Sequence, residues 1–354
     1  MRRDEPESVN HVGYFPDAGR HADEKRADRW NQPEERREQA VKPRVNKRRL
    51  ALLIACALVF VGSAWALIDY GVQNWRSAQS SEQLREAHAQ SATDAPALPT
   101  ATPEPSPTDA SETLEPALAI ISEPVATAAP VYERATTYAE NPHMIVTASV
   151  RTLQERNKDI IGWLSIPDVI DEAVVQRDNA YYLTHDSLGS KNVTGALFLD
   201  EAVDLQTVPE KLVIHGHNMK TGRMFGALKK YKVKGLSFLK QNYLIQLESP
   251  YETSQYAVFA VSEVDIRPEH VKYLDFCGTP IFGDNAAFDG FVTKLRQCSL
   301  YRVNLDVRRG DRLLILATCT GTDDNTRLLV AARRVRDGES MTELKTAIFS
   351  ASAN

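Results

Sequence analysis

The chain has 354 residues, 43% of them hydrophobic, which is enough for a folded domain with substantial sequence beside it. Its formal net charge of −5 gives no basis for nucleic-acid binding. That charge is unevenly placed, and the unevenness divides the chain.

Residues 1–49 are dense in Arg, Lys, Asp and Glu with few large apolar side chains. Such a segment cannot bury a core and reads as disordered. From Leu50 to Ile68 the chain is apolar without one charge. At about 1.5 Å per residue, roughly 19 residues of helix cover about 28 Å, close to the hydrocarbon thickness of a bilayer. Lys42, Arg44, Lys47, Arg48 and Arg49 precede the run and Asp69 follows it. Positive flanks stay in the cytoplasm, so the N-terminus reads as inside and everything after Ile68 as outside. The run is long for a signal-peptide core and begins far from Met1, so it reads as an uncleaved signal anchor. A buried core helix would show a polar face, and this run has none.

Residues 69–139 read as an extracytoplasmic stalk. A short helix is expected within 70–90, around Trp75 and Leu84. Residues 91–130 are rich in Ala, Pro, Ser, Thr and Glu, the composition of an extended, semi-stiff spacer. The folded domain is expected over 140–345. Val150, Leu153, Ile160 and Ile161 have helical spacing and predict one N-terminal helix. Short apolar segments follow at 162–167, 173–176, 195–199, 211–215, 243–247 and 255–261, separated by turn residues. Many short strands argue a mainly β sandwich or barrel. Helical interruptions are expected at Met224–Tyr231 and Asn285–Leu300; in the latter Phe288, Phe291, Val292 and Leu295 share a side.

Near the end stands an apolar run, Arg312 to Cys319, then a polar loop, Thr320 to Thr326, then Arg327 to Ala332. Two apolar runs flanking a Gly/Asp/Asn-rich loop predict a β-hairpin, with Cys319 and Arg327 side by side at its mouth. A free thiol titrates near about 8.5, and a neighbouring cation lowers that value. Cys319 is thus a candidate nucleophile and Arg327 its electrostatic partner. A thiol nucleophile needs an acid/base partner to protonate the leaving amine. Val213-Ile214-His215-Gly216-His217-Asn218 offers one: a strand ends at Gly216, which permits a bend, and His217 sits at the exit. Cys56 lies in the apolar span; Cys277, Cys298 and Cys319 leave an odd number outside. Cys277 and Cys298 are either a disulfide or two small buried hydrophobes. No His/Cys/Asp cluster has the sequence spacing of a metal site, so no metal or organic cofactor is expected.

Taken in order, these residues resemble a known family. Asn157 to Pro167 (NKDIIGWLSIP), Val174-Val175-Gln176, Asp178 to Leu183 (DNAYYL), Gly195 to Asp200 (GALFLD), Gly216-His217-Asn218-Met219 and Leu316-Ala317-Thr318-Cys319 look like a class B sortase. Such proteins are membrane-anchored cysteine transpeptidases of Gram-positive bacteria, and the resemblance covers about 140–340. It implies an eight-stranded β-barrel with an N-terminal helical addition and a helix before the Cys strand, matched by Asn285–Leu300. It also implies that Cys319 is the nucleophile, His217 the general acid/base and Arg327 the positioning residue. The partners implied are secreted proteins with a C-terminal sorting signal, and an amine of the cell wall or a pilin. Departures are Ile315, Ala317 and His215, where the family usually has Thr, often Ser, and an aromatic residue. His215 rivals His217, and Arg333 and Arg334 rival Arg327, although both lie deeper along the strand. His185 reads as structural. Two other readings stay open: a hydrolytic cysteine peptidase on the same site, and a non-enzymatic surface binding module.

Overall fold

Eight of the short apolar segments close into one barrel in this computed structural model, which describes residues 46–94, 132, 134–321 and 323–354. The barrel strands are β1 (Ile160–Ile166), β2 (Ile170–Val175), β3 (Leu197–Leu199), β4 (Lys211–His215), β5 (Leu244–Glu248), β6 (Thr253–Asp265), β8 (Leu313–Cys319) and β9 (Thr326–Arg334). Their order around the barrel is β1-β2-β3-β4-β8-β9-β6-β5, with β5 pairing back onto β1. Two pairs are parallel, β2 with β3 and β4 with β8; the rest are antiparallel. Outside the barrel, β7 (Tyr301–Arg302) pairs with β10 (Ser352–Ala353).

Strands β4, β8 and β9 read as continuous apolar runs because both of their faces are covered. Leu164, Val213, Phe259, Leu316 and Val330 belong to the main core, while Leu84, Leu153, Trp163, Tyr182 and Phe198 form a second cluster.

The helices are α1 (Lys47–Asp94), α2 (Ala148–Gln154), α3 (Lys229–Val233), α4 (Gly235–Gln241), α5 (Asn285–Gln297) and α6 (Met341–Phe349). The expected N-terminal helix is shorter than its pattern. Ile160 and Ile161 belong to β1, because the Asn157 carbonyl turns the chain by accepting from Ile160 N at 3.0 Å and β1 then pairs with β2. Met224–Tyr231 forms a 3₁₀ turn, Phe225–Leu228, that runs into α3. Helix α5 buries the expected face, and Asp284 caps it by accepting from Ala287 N at 2.7 Å.

Helix α1 runs unbroken where a span and a separate short helix were expected. Among the described residues it is the one helix long and apolar enough to cross a membrane, and its apolar window is wholly exposed. The chain divides into two units within it, at Val61 and Gly62. In the second unit Ser77, Ser81, Leu84 and Ala87 are buried at helical spacing. Arg85 Nε donates to Asp171 at 2.7 Å, and the His88 ring stacks on Trp163 with centroids 4.5 Å apart. These residues, expected in the stalk, pack on the barrel. The expectations for residues 1–45 and 95–131 lie outside the described residues.

Candidate active site

The hairpin predicted around Cys319 and Arg327 forms with those two residues directly opposite each other across β8 and β9. Leu313 to Thr318 are buried, and Cys319 is the first residue of β8 to emerge. The connecting loop closes on itself: Gly321 adopts φ +79°, and Thr326 N donates to Asp323 O at 3.2 Å. Arg327 Nη1 donates to the carbonyls of Asp324 at 2.6 Å and Thr326 at 3.1 Å. Among the described residues its guanidinium has no carboxylate partner.

Strand β4 runs parallel to β8, with His215 opposite Ala317, so the residues after His215 arrive beside Cys319. Three hydrogen bonds tie the two strand ends. Gly216 N donates to Ala317 O at 3.2 Å, Thr318 Oγ1 donates to Gly216 O at 2.7 Å, and Asn218 Nδ2 donates to Cys319 O at 2.9 Å. Gly216 is required by close packing rather than by a bend: a Cβ there would lie 2.5 Å from Leu197 Cδ2 and 2.8 Å from Phe225 Cδ2. His217 Nε2 lies 2.8 Å from Leu183 O. A carbonyl only accepts, so Nε2 carries the hydrogen and Nδ1 is the nitrogen able to exchange a proton. Gly195, at φ +59°, backs this ring; its Cβ would stand 2.9 Å from His217 Cδ2. In the sequence Gly195 stands only as part of the Gly195–Asp200 motif. Its positive φ and its approach to His217 become visible only in three dimensions.

Cys319, His217 and Arg327 line one cavity of about 690 Å³, together with Leu183, His215 and Cys277. The rivals fall elsewhere. Arg333 pairs opposite Leu313, six residues from Cys319, or about 20 Å along a strand. It is buried and bound to Glu339 and to Asp306 O. Arg334 is occupied by Ser254 and Asp337. His185 stacks on Tyr181 at 3.9 Å, with Nδ1 2.8 Å from Tyr181 O, as a packing residue does. His215 does share the cavity, but its Nε2 is 2.8 Å from Asp200 Oδ2 and its ring stacks on Phe198.

All four cysteines are free thiols, so Cys277 and Cys298 do not pair. Burial, reinforced by the charge of Asp200, pushes the Cys277 thiol up to about 12. Burial also works against the Asp200 carboxylate, but hydrogen bonds from His215 and Ala202 N outweigh it and hold Asp200 below the usual carboxylate range. Asp200, His215 and Cys277 present ligand-type atoms that all lie within 4.8 Å of one another. Sequence spacing gave no sign of this group, because its members come from three separate elements.

The sortase domain family model matches residues 164–335. Sortase B of Listeria monocytogenes serovar 1/2a is 33% identical over 181 residues, which cover 51% of this chain and 70% of that protein. Sortase B of Staphylococcus aureus is 23% identical over 195 residues, covering 54% of this chain and 76% of that protein. A crystal structure of a Bacillus anthracis protein similar to sortase B aligns at 29% identity and TM-score 0.48, covering 54% of this chain and 85% of that one. The extent and identity of the match to the Listeria protein show that this chain belongs to the sortase family, with class B sortases as its relatives, and is a cysteine transpeptidase.

Proposed function

We propose that Cys319, His217 and Arg327 carry the transpeptidation, and that the substrate is a secreted protein with a C-terminal sorting motif. The observation behind this reading is the β8–β9 register that sets Cys319 opposite Arg327, with the His217 turn bonded to the same strand end. His217 takes the thiol proton, and the Cys319 thiolate attacks the carbonyl of a Thr in the motif. Arg327 donates to the developing oxyanion or to the substrate backbone, worth about 3 kcal/mol for a well-aimed donor. As the tetrahedral adduct collapses, His217 returns the proton through Nδ1 to the departing amine, and the C-terminal fragment leaves. A thioester remains on Cys319. A primary amine from a cell-wall peptide or a pilin lysine then loses its proton to His217 and displaces the sulfur, forming a new amide.

Helix α1 anchors the enzyme, with the basic flank of Lys47, Arg48 and Arg49 in the cytoplasm and the barrel outside, where secreted substrates pass. The test uses the full chain in detergent with a pool of sorting-motif peptides, read by intact mass. An adduct on the wild type and none on Cys319→Ala supports the thioester, and its mass identifies the motif. An adduct that persists in Cys319→Ala overturns the assignment. With an added amine, an amide product separates transpeptidation from simple hydrolysis.

A further inference from the structure

We propose that Asp200, His215 and Cys277 form a binding site for a divalent cation of the zinc class, set in the wall of the cavity that holds Cys319. The site stands whether or not Cys319 is the nucleophile.

The donor set points to the ion. A carboxylate, an imidazole and a thiol together suit zinc or cobalt, whereas calcium and magnesium take oxygen ligands. Asp200 follows β3, His215 ends β4, and Cys277 lies in the connection between β6 and α5, so no local turn forces them together. Zinc bonds of about 2.0–2.3 Å set tetrahedral ligand separations of about 3.3–3.6 Å. Ligand atoms already within 4.8 Å reach that arrangement by side-chain rotation, with the 2.8 Å His215–Asp200 contact opening to admit the ion.

Two of the donors are already oriented by groups behind them, as metal ligands usually are. Ala202 N holds Asp200 Oδ1 at 3.0 Å, and Asn179 Nδ2 holds Oδ2 at 3.2 Å. The His215 ring is stacked on Phe198, centroids 5.1 Å apart. Charge also balances. Binding forms a metal–sulfur bond and releases the Cys277 proton to solvent, so one thiolate and one carboxylate offset the 2+ ion. The nearby cation, Lys211, is itself faced by Asp275. Three protein ligands leave a fourth position open, the arrangement of an accessible site rather than a closed structural one. Asp200, His215, Cys277 and Cys319 line the same cavity, so an ion bound there occupies part of the space open to a substrate at Cys319.

Cobalt(II) is the probe, added to the full chain in detergent carrying Cys319→Ala, so that Cys319 contributes no signal. The expected result is a near-ultraviolet thiolate-to-cobalt charge-transfer band, with intense visible bands of four-coordination, bleached by zinc. Cys277→Ser in that background removes the charge-transfer band, and His215→Phe weakens binding at least about tenfold. In the otherwise unaltered enzyme, zinc slows turnover and a chelator restores it; Cys277→Ser raises the zinc concentration needed at least about tenfold. The Cys319→Ala protein needs no change at the site itself, so its spectrum decides the matter even if a site variant misfolds. No charge-transfer band in it, or a band that survives Cys277→Ser, overturns the site.

Discussion

The two ends of the β8–β9 hairpin carry the same pair of chemistries, arginine beside a polar loop, yet they are built for different work. At the far end Arg333 is 1% exposed in its side chain and lies among Glu339, Asp311 and the Asp306 carbonyl, with Arg336 also on Asp311. Arg333 Nε donates to Asp306 O, its Nη1 to Arg334 O and Glu339, and its Nη2 to Glu339. At the near end Arg327 is half-buried and, among the described residues, held by two carbonyls through Nη1. A guanidinium neutralised by buried carboxylates stabilises a fold. One oriented by neutral acceptors opposite an exposed thiol has no carboxylate partner among the described residues, which fits the role proposed for Arg327.

The sharpest way to break that comparison is at Cys319. Cys319→Ala should lower turnover on the order of 10⁴-fold or more. Its melting temperature should stay close to wild type, since the side chain is exposed. Steady-state assay and calorimetry on one preparation check both halves. Next come the two arginines. Arg327→Ala should cost about 10²–10³ in kcat/KM, with stability changed by under about 0.5 kcal/mol. Arg333→Ala should do the reverse. It removes a buried side chain and leaves the partly buried Glu339 carboxylate without its guanidinium, and should cost about 3–5 kcal/mol, while the folded fraction turns over normally. Equal activity losses in the two variants would remove the distinction drawn here.

Acid titration sharpens the far-end half of the comparison. The hydrogen bond from Arg333 holds the Glu339 carboxyl below its ordinary value of 4.5, despite some opposing burial. A depressed carboxyl stabilises the fold fully above its unfolded value and loses that contribution as pH falls through its folded one. Wild type should therefore lose stability as the pH drops below about 4.5, and Glu339→Gln should flatten that limb, as urea midpoints at stepped pH would show. A limb of unchanged steepness would mean that other carboxylates dominate it.

Gly195→Ala comes after these in size. The φ of +59° costs a side chain about 1–2 kcal/mol, and the new Cβ would press on His217 and on Tyr182 O. A displaced ring should lose about tenfold or more in turnover, beyond what the stability loss explains. Full activity at a temperature where the variant is folded would show that the position of His217 is not limiting.

How much of this was legible depends on how local the cause is. The Cys319–Arg327 pairing could be read because a short polar loop between two apolar runs fixes the register by itself. His217 is legible as a residue just past a strand end, whereas the reason for Gly216 is not. Its missing Cβ makes room for Leu197 and Phe225, which are distant in sequence. Ile160 and Ile161 fitted a helical period, yet pairing with β2 claims them for a strand. Asp200, His215 and Cys277 converge only after β3, β4 and the segment after β6 take their places, so no spacing rule finds them.

The smallest predicted effect tests how α1 holds to the barrel within the second unit. Arg85 pairs with Asp171 at 2.7 Å, but the side chains are 38% and 47% exposed. Solvent and salt screen such a pair, and its net worth is under about 1 kcal/mol. Leu84, one residue away, is 1% exposed within the cluster that contains Leu153, Trp163 and Tyr182. Leu84→Ala leaves a cavity there and should cost about 2–5 kcal/mol, whereas Arg85→Ala should cost only a few tenths and vanish in high salt. Urea denaturation at two ionic strengths distinguishes the two contributions. If Arg85→Ala costs as much as Leu84→Ala, charge rather than apolar burial docks the helix, and the arginine contrast drawn for the hairpin does not extend to this surface.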